Sequence, residues 1–134
     1  MPMEAETRIL AFCQELVRLE SISGGEETAA QAVEREMAAL GYDEVRRDEL
    51  GSVVGVLRGA HGSPPRTAPG DADGAGALLF DAHLDVVPAT EPATWRFPPF
   101  SGERAEGRIW GRGATDVKGS LAALVLALGT LPRA

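Results

Sequence analysis

Residues 77–88 read Ala77-Leu78-Leu79-Phe80-Asp81-Ala82-His83-Leu84-Asp85-Val86-Val87-Pro88. From 77 to 87 the run is almost continuously apolar, the pattern of a central β-strand buried on both faces. Pro88 ends it, because proline has no N–H to give to a ladder. Three ionisable side chains break the run: Asp81, His83 and Asp85. His83 and Asp85 are two positions apart, so both project from one face. They lie near the strand's C-terminal end, where open α/β sheets present their sites. Burying a carboxylate and an imidazole without partners is expensive, so each needs a partner or a metal.

Towards the N-terminus, Ile9, Phe12, Cys13, Leu16 and Val17 recur at helical spacing and predict an amphipathic helix over about residues 4–19. Cys13 lies on its apolar stripe, where a thiol acts as a small hydrophobe. Residues 21–25 form a turn. Ser23 followed by Glu26 fits a capping box, and Val33, Met37 and Leu40 carry a second helix that Gly41 would cap. Two strands follow, over 42–48 and 51–58. Residues 59–76 are rich in Gly, Ala, Pro and Asp, have no periodicity, and read as a flexible surface loop in which His61 is a solvated side chain.

Towards the C-terminus, residues 89–107 form a long connection holding Trp95, Phe97, Pro98, Pro99 and Phe100. A short strand is expected at 108–110, a tight turn at 111–115, and a third helix from Lys118 or Gly119 to Leu128. That helix is apolar on most sides and calls for burial. Helices before, between and after extended segments indicate an α/β fold with helices packed on a mixed β-sheet. The sheet has only about four candidate strands, as in a domain cut off in its middle.

Composition narrows the function. The chain has 134 residues, 44% of them hydrophobic, enough for a packed core. A formal charge of −7 argues against nucleic acid as a partner. No apolar run approaches the roughly 20 residues that span a bilayer. Residues 1–9 carry acids and lack the basic start and apolar core of a signal peptide, so a cytoplasmic location is expected. A single cysteine excludes an internal disulfide.

A third ionisable residue, Asp116, follows the turn Gly111-Arg112-Gly113 and precedes the last helix, where its carboxylate could meet the strand end. Neutral imidazole and carboxylate suit zinc and related divalent ions. A carboxylate two residues from a ligating histidine could hold the ring in orientation. The competing reading is that His83 and Asp85 hydrogen-bond each other and nearby backbone; His-x-Asp by itself does not choose. Gly111-Arg112-Gly113 lacks the third glycine of the dinucleotide fingerprint, and Lys118 precedes Gly119, against the phosphate-loop order. Arg112 either binds a substrate carboxylate bidentately or is a surface arginine. The two histidines, in these settings, assemble no Ser-His-Asp or Cys-His arrangement.

Taken in order, Phe80-Asp81-Ala82-His83-Leu84-Asp85-Val86-Val87-Pro88, Trp95 with Pro98-Pro99-Phe100, and the run from Gly107 to Gly119 resemble the M20 metallopeptidases. That family includes acetylornithine deacetylase, succinyl-diaminopimelate desuccinylase, aminoacylase and glutamate carboxypeptidase. The resemblance covers nearly all of the chain except residues 59–76. One departure is Ala82, where the family often has glycine.

The resemblance implies the first part of a two-zinc exopeptidase-like catalytic domain, residues 1–134. It implies a hydrolase that cleaves the amide bond of N-acyl amino acids or small peptides. The cofactor would be two divalent ions, zinc foremost, with cobalt or manganese also suited. By position, His83 is implied as a ligand of one metal and Asp116 as the carboxylate bridging both. Asp85 is the residue that orients the histidine, and a cis peptide is implied after Asp116. The family's paired glutamates, one of them the general base, its later acidic and histidine ligands and its inserted lid or dimerisation domain have no counterpart before Ala134. The expectation is therefore an inactive fragment of a parent enzyme that forms a homodimer, without nucleic-acid or membrane partners. The alternative is a non-catalytic remnant or interaction module that retains the metal motif.

Overall fold

The computed structural model describes residues 2–59 and 77–131. The expected loop at 59–76, with His61, falls outside these residues except for Gly59. The N-terminal periodicity produces α1 (Pro2–Arg18), which buries Phe12, Cys13, Leu16 and Val17. Arg18 stands in its last turn, where a cation complements the helix dipole.

The second helix, α2 (Glu27–Ala39), starts differently from its predicted capping box. Glu26 is the cap residue and makes no side-chain cap bond; its carboxylate instead accepts the Gly24 N–H at 2.7 Å. Ser23 Oγ donates to Asp85 Oδ2 at 2.5 Å. A hydrogen bond to an ionised acceptor is roughly twice as strong as a neutral one, so the serine serves the carboxylate and not the helix. At the other end Gly41, at φ +72°, closes α2 as expected. Its N–H reaches Ala38 O at 2.9 Å and the Tyr42 N–H reaches Met37 O at 3.1 Å, the paired bonds of a Schellman motif.

The next two strands are shorter than predicted. β1 (Glu44–Arg47) and β2 (Val53–Val56) pair antiparallel, Glu44 opposite Val56 and Arg47 opposite Val53. Asp48 closes the turn by accepting the N–H groups of Leu50 and Ser52. β3 (Glu103–Ala105), which the sequence did not announce, pairs antiparallel with the expected β4 (Arg108–Trp110). The last helix, α3 (Gly119–Gly129), packs against α1 and α2 through Leu121, Ala122, Val125 and Leu126. Each fully buried aliphatic in this cluster contributes roughly 1.5–3 kcal/mol. Ala123 and Ala127 remain exposed, so α3 is buried on one face and not all round.

The largest departure is the segment 77–87. It forms no extended ladder; Val86 alone makes an isolated parallel bridge, with Ile22. Leu78, Leu79, Phe80 and Val87 are exposed, Leu79 at 92%. A central strand is buried by neighbours on both edges, and among the described residues no strand pairs with 77–84. Among the described residues the strands form two separate two-stranded antiparallel sheets, not one mixed sheet. The α/β character stands, with three helices packed on one another and on these ribbons.

Candidate metal centre

Three segments converge at the end of the 77–87 run. Ser21, fully buried, clamps that end from one side. Its carbonyl accepts the Val86 N–H at 2.8 Å and its hydroxyl donates to Leu84 O at 2.7 Å. The 111–118 segment approaches from the other side. Gly113 turns it at φ +80°, and a Cβ there would stand 2.5 Å from Val86 Cγ1, so only glycine allows the approach. A kinked turn, Ala114–Lys118, follows, with Asp116 and Val117 outside helical geometry and a cis peptide between them, as the resemblance implied.

This arrangement brings His83, Asp85 and Asp116 together. His83 Nε2 lies 3.0 Å from Asp116 Oδ1. On the far side of the ring, Nδ1 lies 3.0 Å from Asp85 O and 3.3 Å from Asp85 Oδ1. The hydrogen bond to Asp116, and after it that to the Asp85 carbonyl, raise the His83 pKa above its ordinary value. The Ser23 hydroxyl is the largest cause that holds the Asp85 carboxyl below its usual range. The Asp116 carboxylate is 89% exposed, open to a ligand.

The donor set fits part of a divalent metal site. A ligating histidine commonly gives its other N–H to a carboxylate or carbonyl, and Nδ1 faces both on Asp85. Two donors about 2.0–2.2 Å from one tetrahedral ion stand roughly 3.3 Å apart, close to the 3.0 Å found between Nε2 and Oδ1. Among the described residues no three His, Cys, Asp or Glu side chains gather about one point to complete such a site.

Arg112 lines the same cleft of about 120 Å³ as His83, Asp85 and Asp116. Its guanidinium carbon lies 4.9 Å from the Trp95 ring centroid, and its Nε is buried without a hydrogen-bond partner among the described residues. A larger groove, about 430 Å³, lies between α1 and α3 and contains none of the candidate residues. Two supporting residues escaped the sequence reading. Ser23 was assigned to a helix cap. Lys118 reads in the sequence as a possible first residue of the last helix and as a lysine out of phosphate-loop order, yet its side chain is buried and donates to Leu16 O at 2.8 Å and Leu19 O at 2.7 Å, tying Asp116's turn to the end of α1. A lysine just before an apolar helix is the only sequence signal for it.

The model of Peptidase family M20/M25/M40 matches residues 79–134. The chain is 39% identical over 112 residues to a succinyl-diaminopimelate desuccinylase of Paracoccus denitrificans, covering 84% of this chain and 26% of that protein. It is 33% identical over 124 residues to one from a Caulobacter species, covering 92% of this chain and 29% of that protein. An M20 family metallo-carboxypeptidase from Sulfolobus solfataricus superposes with a TM-score of 0.68 at 26% identity, over 90% of this chain and 26% of that one. The chain thus spans between a quarter and a third of the length of these relatives. Within that span, in sequence and in fold, the chain belongs to the M20 peptidase family.

Proposed function

We propose that this chain supplies the first ligands of a metal-dependent amidohydrolase acting on N-acyl amino acids or small peptides, a desuccinylase-like deacylation being the reaction nearest its relatives. The observation that supports this most directly is the 3.0 Å approach of His83 Nε2 to Asp116 Oδ1, with Asp85 behind the ring. His83 would bind one divalent ion through Nε2. Asp116, with its exposed carboxylate, would be shared between two ions, zinc foremost. Asp85 would keep the proton on Nδ1, which leaves the Nε2 lone pair free. A bound divalent ion supplies Lewis-acid polarisation of the amide carbonyl and lowers the pKa of its water. Arg112, at the cleft wall, is placed to hold an anionic group of the substrate, and its planar fork suits a carboxylate. The general base and the remaining ligands would come from outside residues 1–134, as would the lid and the dimer contacts.

One observation favours a second reading, a non-catalytic module that retains the motif: among the described residues the two candidate ligands are fewer than the three of an open catalytic zinc site. Zinc titration followed by the ring signals of His83, with His83→Ala as control, tests the shared premise; unmoved signals would sink both readings. An assay of the 134-residue chain on succinylated and acetylated amino acids with added zinc is expected to give no turnover. Turnover abolished by His83→Ala would show a complete site within these residues.

A further inference from the structure

We propose that Ser23 is a positioning residue of this centre, acting on His83 through Asp85. The proposal rests on the reading of His83 as a metal ligand. The residues from 21 to 23 touch the end of the 77–87 run at three places. Ser21 binds the backbone on both sides of Asp85, through Leu84 O and the Val86 N–H. Ile22 makes the parallel bridge to Val86. Ser23 Oγ donates to Asp85 Oδ2 at 2.5 Å.

The first two contacts fix the backbone, and so fix Asp85 O at 3.0 Å from His83 Nδ1. They leave the carboxylate free to rotate about its own side-chain bonds. Ser23 removes that freedom. By holding Oδ2, it leaves Oδ1 on the imidazole side, 3.3 Å from Nδ1. Nδ1 then faces two acceptors, a carbonyl and a carboxylate oxygen, and keeps the proton. In the metal-free chain Nε2–H donates to Asp116 Oδ1 at 3.0 Å; an ion would take the place of that proton while Nδ1 keeps its own, the form in which a histidine binds a metal.

Ser23 itself is exposed and Gly24 and Gly25 follow it, so it contributes little to the core. Glu26, not Ser23, caps α2. Removing the hydroxyl therefore leaves the fold standing and acts on the ring.

The test uses the metal-free 134-residue chain with 15N- and 13C-labelled histidine rings, in an Asp116→Ala background that removes the acceptor facing Nε2, at a pH where the ring of His83 is neutral; the zinc titrations keep Asp116. The chain has two histidines, and His61→Ala separates their signals. Without the Asp116 acceptor, His83 should hold its proton on Nδ1. Ser23→Ala should shift the tautomer ratio towards Nε2–H by about threefold or more, the scale of one charge-assisted hydrogen bond lost at a partly exposed site. Ser23→Thr, which keeps a hydroxyl, should restore it. With zinc added, the midpoint of the His83 shift should rise about tenfold in Ser23→Ala, the lower end of what supporting partners cost, and recover in Ser23→Thr. An unchanged tautomer ratio in a folded Ser23→Ala chain, or a threonine that restores nothing, overturns the proposal. Zinc that leaves the parent's His83 signals unmoved overturns the metal reading instead, and the metal-free ratio still decides the role of Ser23.

Discussion

The Lys118 ammonium is buried against the end of α1, 2.7 Å from the carbonyl oxygen of Leu19. It also reaches Leu16 O, which keeps a second donor in the Leu19 N–H at 3.3 Å. Leu19 O, part-buried, has the more to lose: a buried acceptor stripped of its donor costs about 1–3 kcal/mol, which is the upper bound here. Lys118→Met keeps the apolar stem and removes the donor. The expected outcome is a loss of up to about 3 kcal/mol, seen as a lower urea midpoint at unchanged slope. An unchanged midpoint would mean that water replaces the ammonium at no cost.

Burial pushes Lys118 down to about 8 from an ordinary 10.5. The charged form is thus disfavoured in the folded chain. Below about pH 8 the lysine is protonated in both states. Between about 8 and 10.5 the folded chain has released a proton that the unfolded chain still holds, so stability rises with pH. The ceiling is about 3 kcal/mol, lowered by the two carbonyls that favour the ammonium. Cys13, whose thiol burial raises, works in the opposite sense. In Lys118→Met the thiol loses the cation that lowers it and rises further, which adds to the difference: the stability gap between parent and variant should widen from pH 8 to 10.5. A gap that stays flat or narrows contradicts this.

Gly111 sits at φ +155°, and a Cβ there would lie 2.3 Å from Val17 Cγ1 and 2.8 Å from Pro99 O. The second contact is backbone and cannot move aside alone. Gly111→Ala should cost about 1–3 kcal/mol, the usual range for overpacking, measured as a fall in Tm. Thermal unfolding that matches the parent would show that β4 and its turn shift freely over α1.

Leu78, Leu79 and Phe80 form an exposed apolar run without ladder partners among the described residues, Leu79 at 92% exposure. Exposed apolar runs of this kind invite association. Sedimentation of the chain should show concentration-dependent self-association, and Leu79→Lys should reduce it without lowering Tm. Equal association in parent and variant would place the sticky surface elsewhere.

How far the sequence could be read follows from how local each signal is. The stripe of Phe12, Leu16 and Val17 and the glycine at 41 act within a few residues, and α1 and the end of α2 came out nearly as predicted. The same-face spacing of His83 and Asp85 was also legible. That Asp116 could meet them follows from its place between the Gly111-Arg112-Gly113 turn and the last helix, and the resemblance implies it too, though no periodicity links positions 33 apart. The strand at 77–87 failed for a different reason: an apolar run states what kind of neighbours it needs, not whether they are present. Ser23 was misread because a hydroxyl serves a helix cap and a distant carboxylate equally well, and only the fold shows that Asp85 is within reach.

Lys118 and Leu16, which its ammonium binds, are 102 positions apart. Ser23 and Asp85 are separated by 62, and His83 and Asp116 by 33. Only the His83–Asp85 contact, two positions apart, is local. The other contacts close long loops, whose entropy must be met before the contact gives anything back. The proposed ligands are scattered in the unfolded chain and meet only when α1 and the 111–118 turn have docked. If they hold a metal, its affinity and the folding free energy become two readings of one quantity. A substitution that loosens α1 far from the cleft should weaken zinc binding in proportion to the stability it removes.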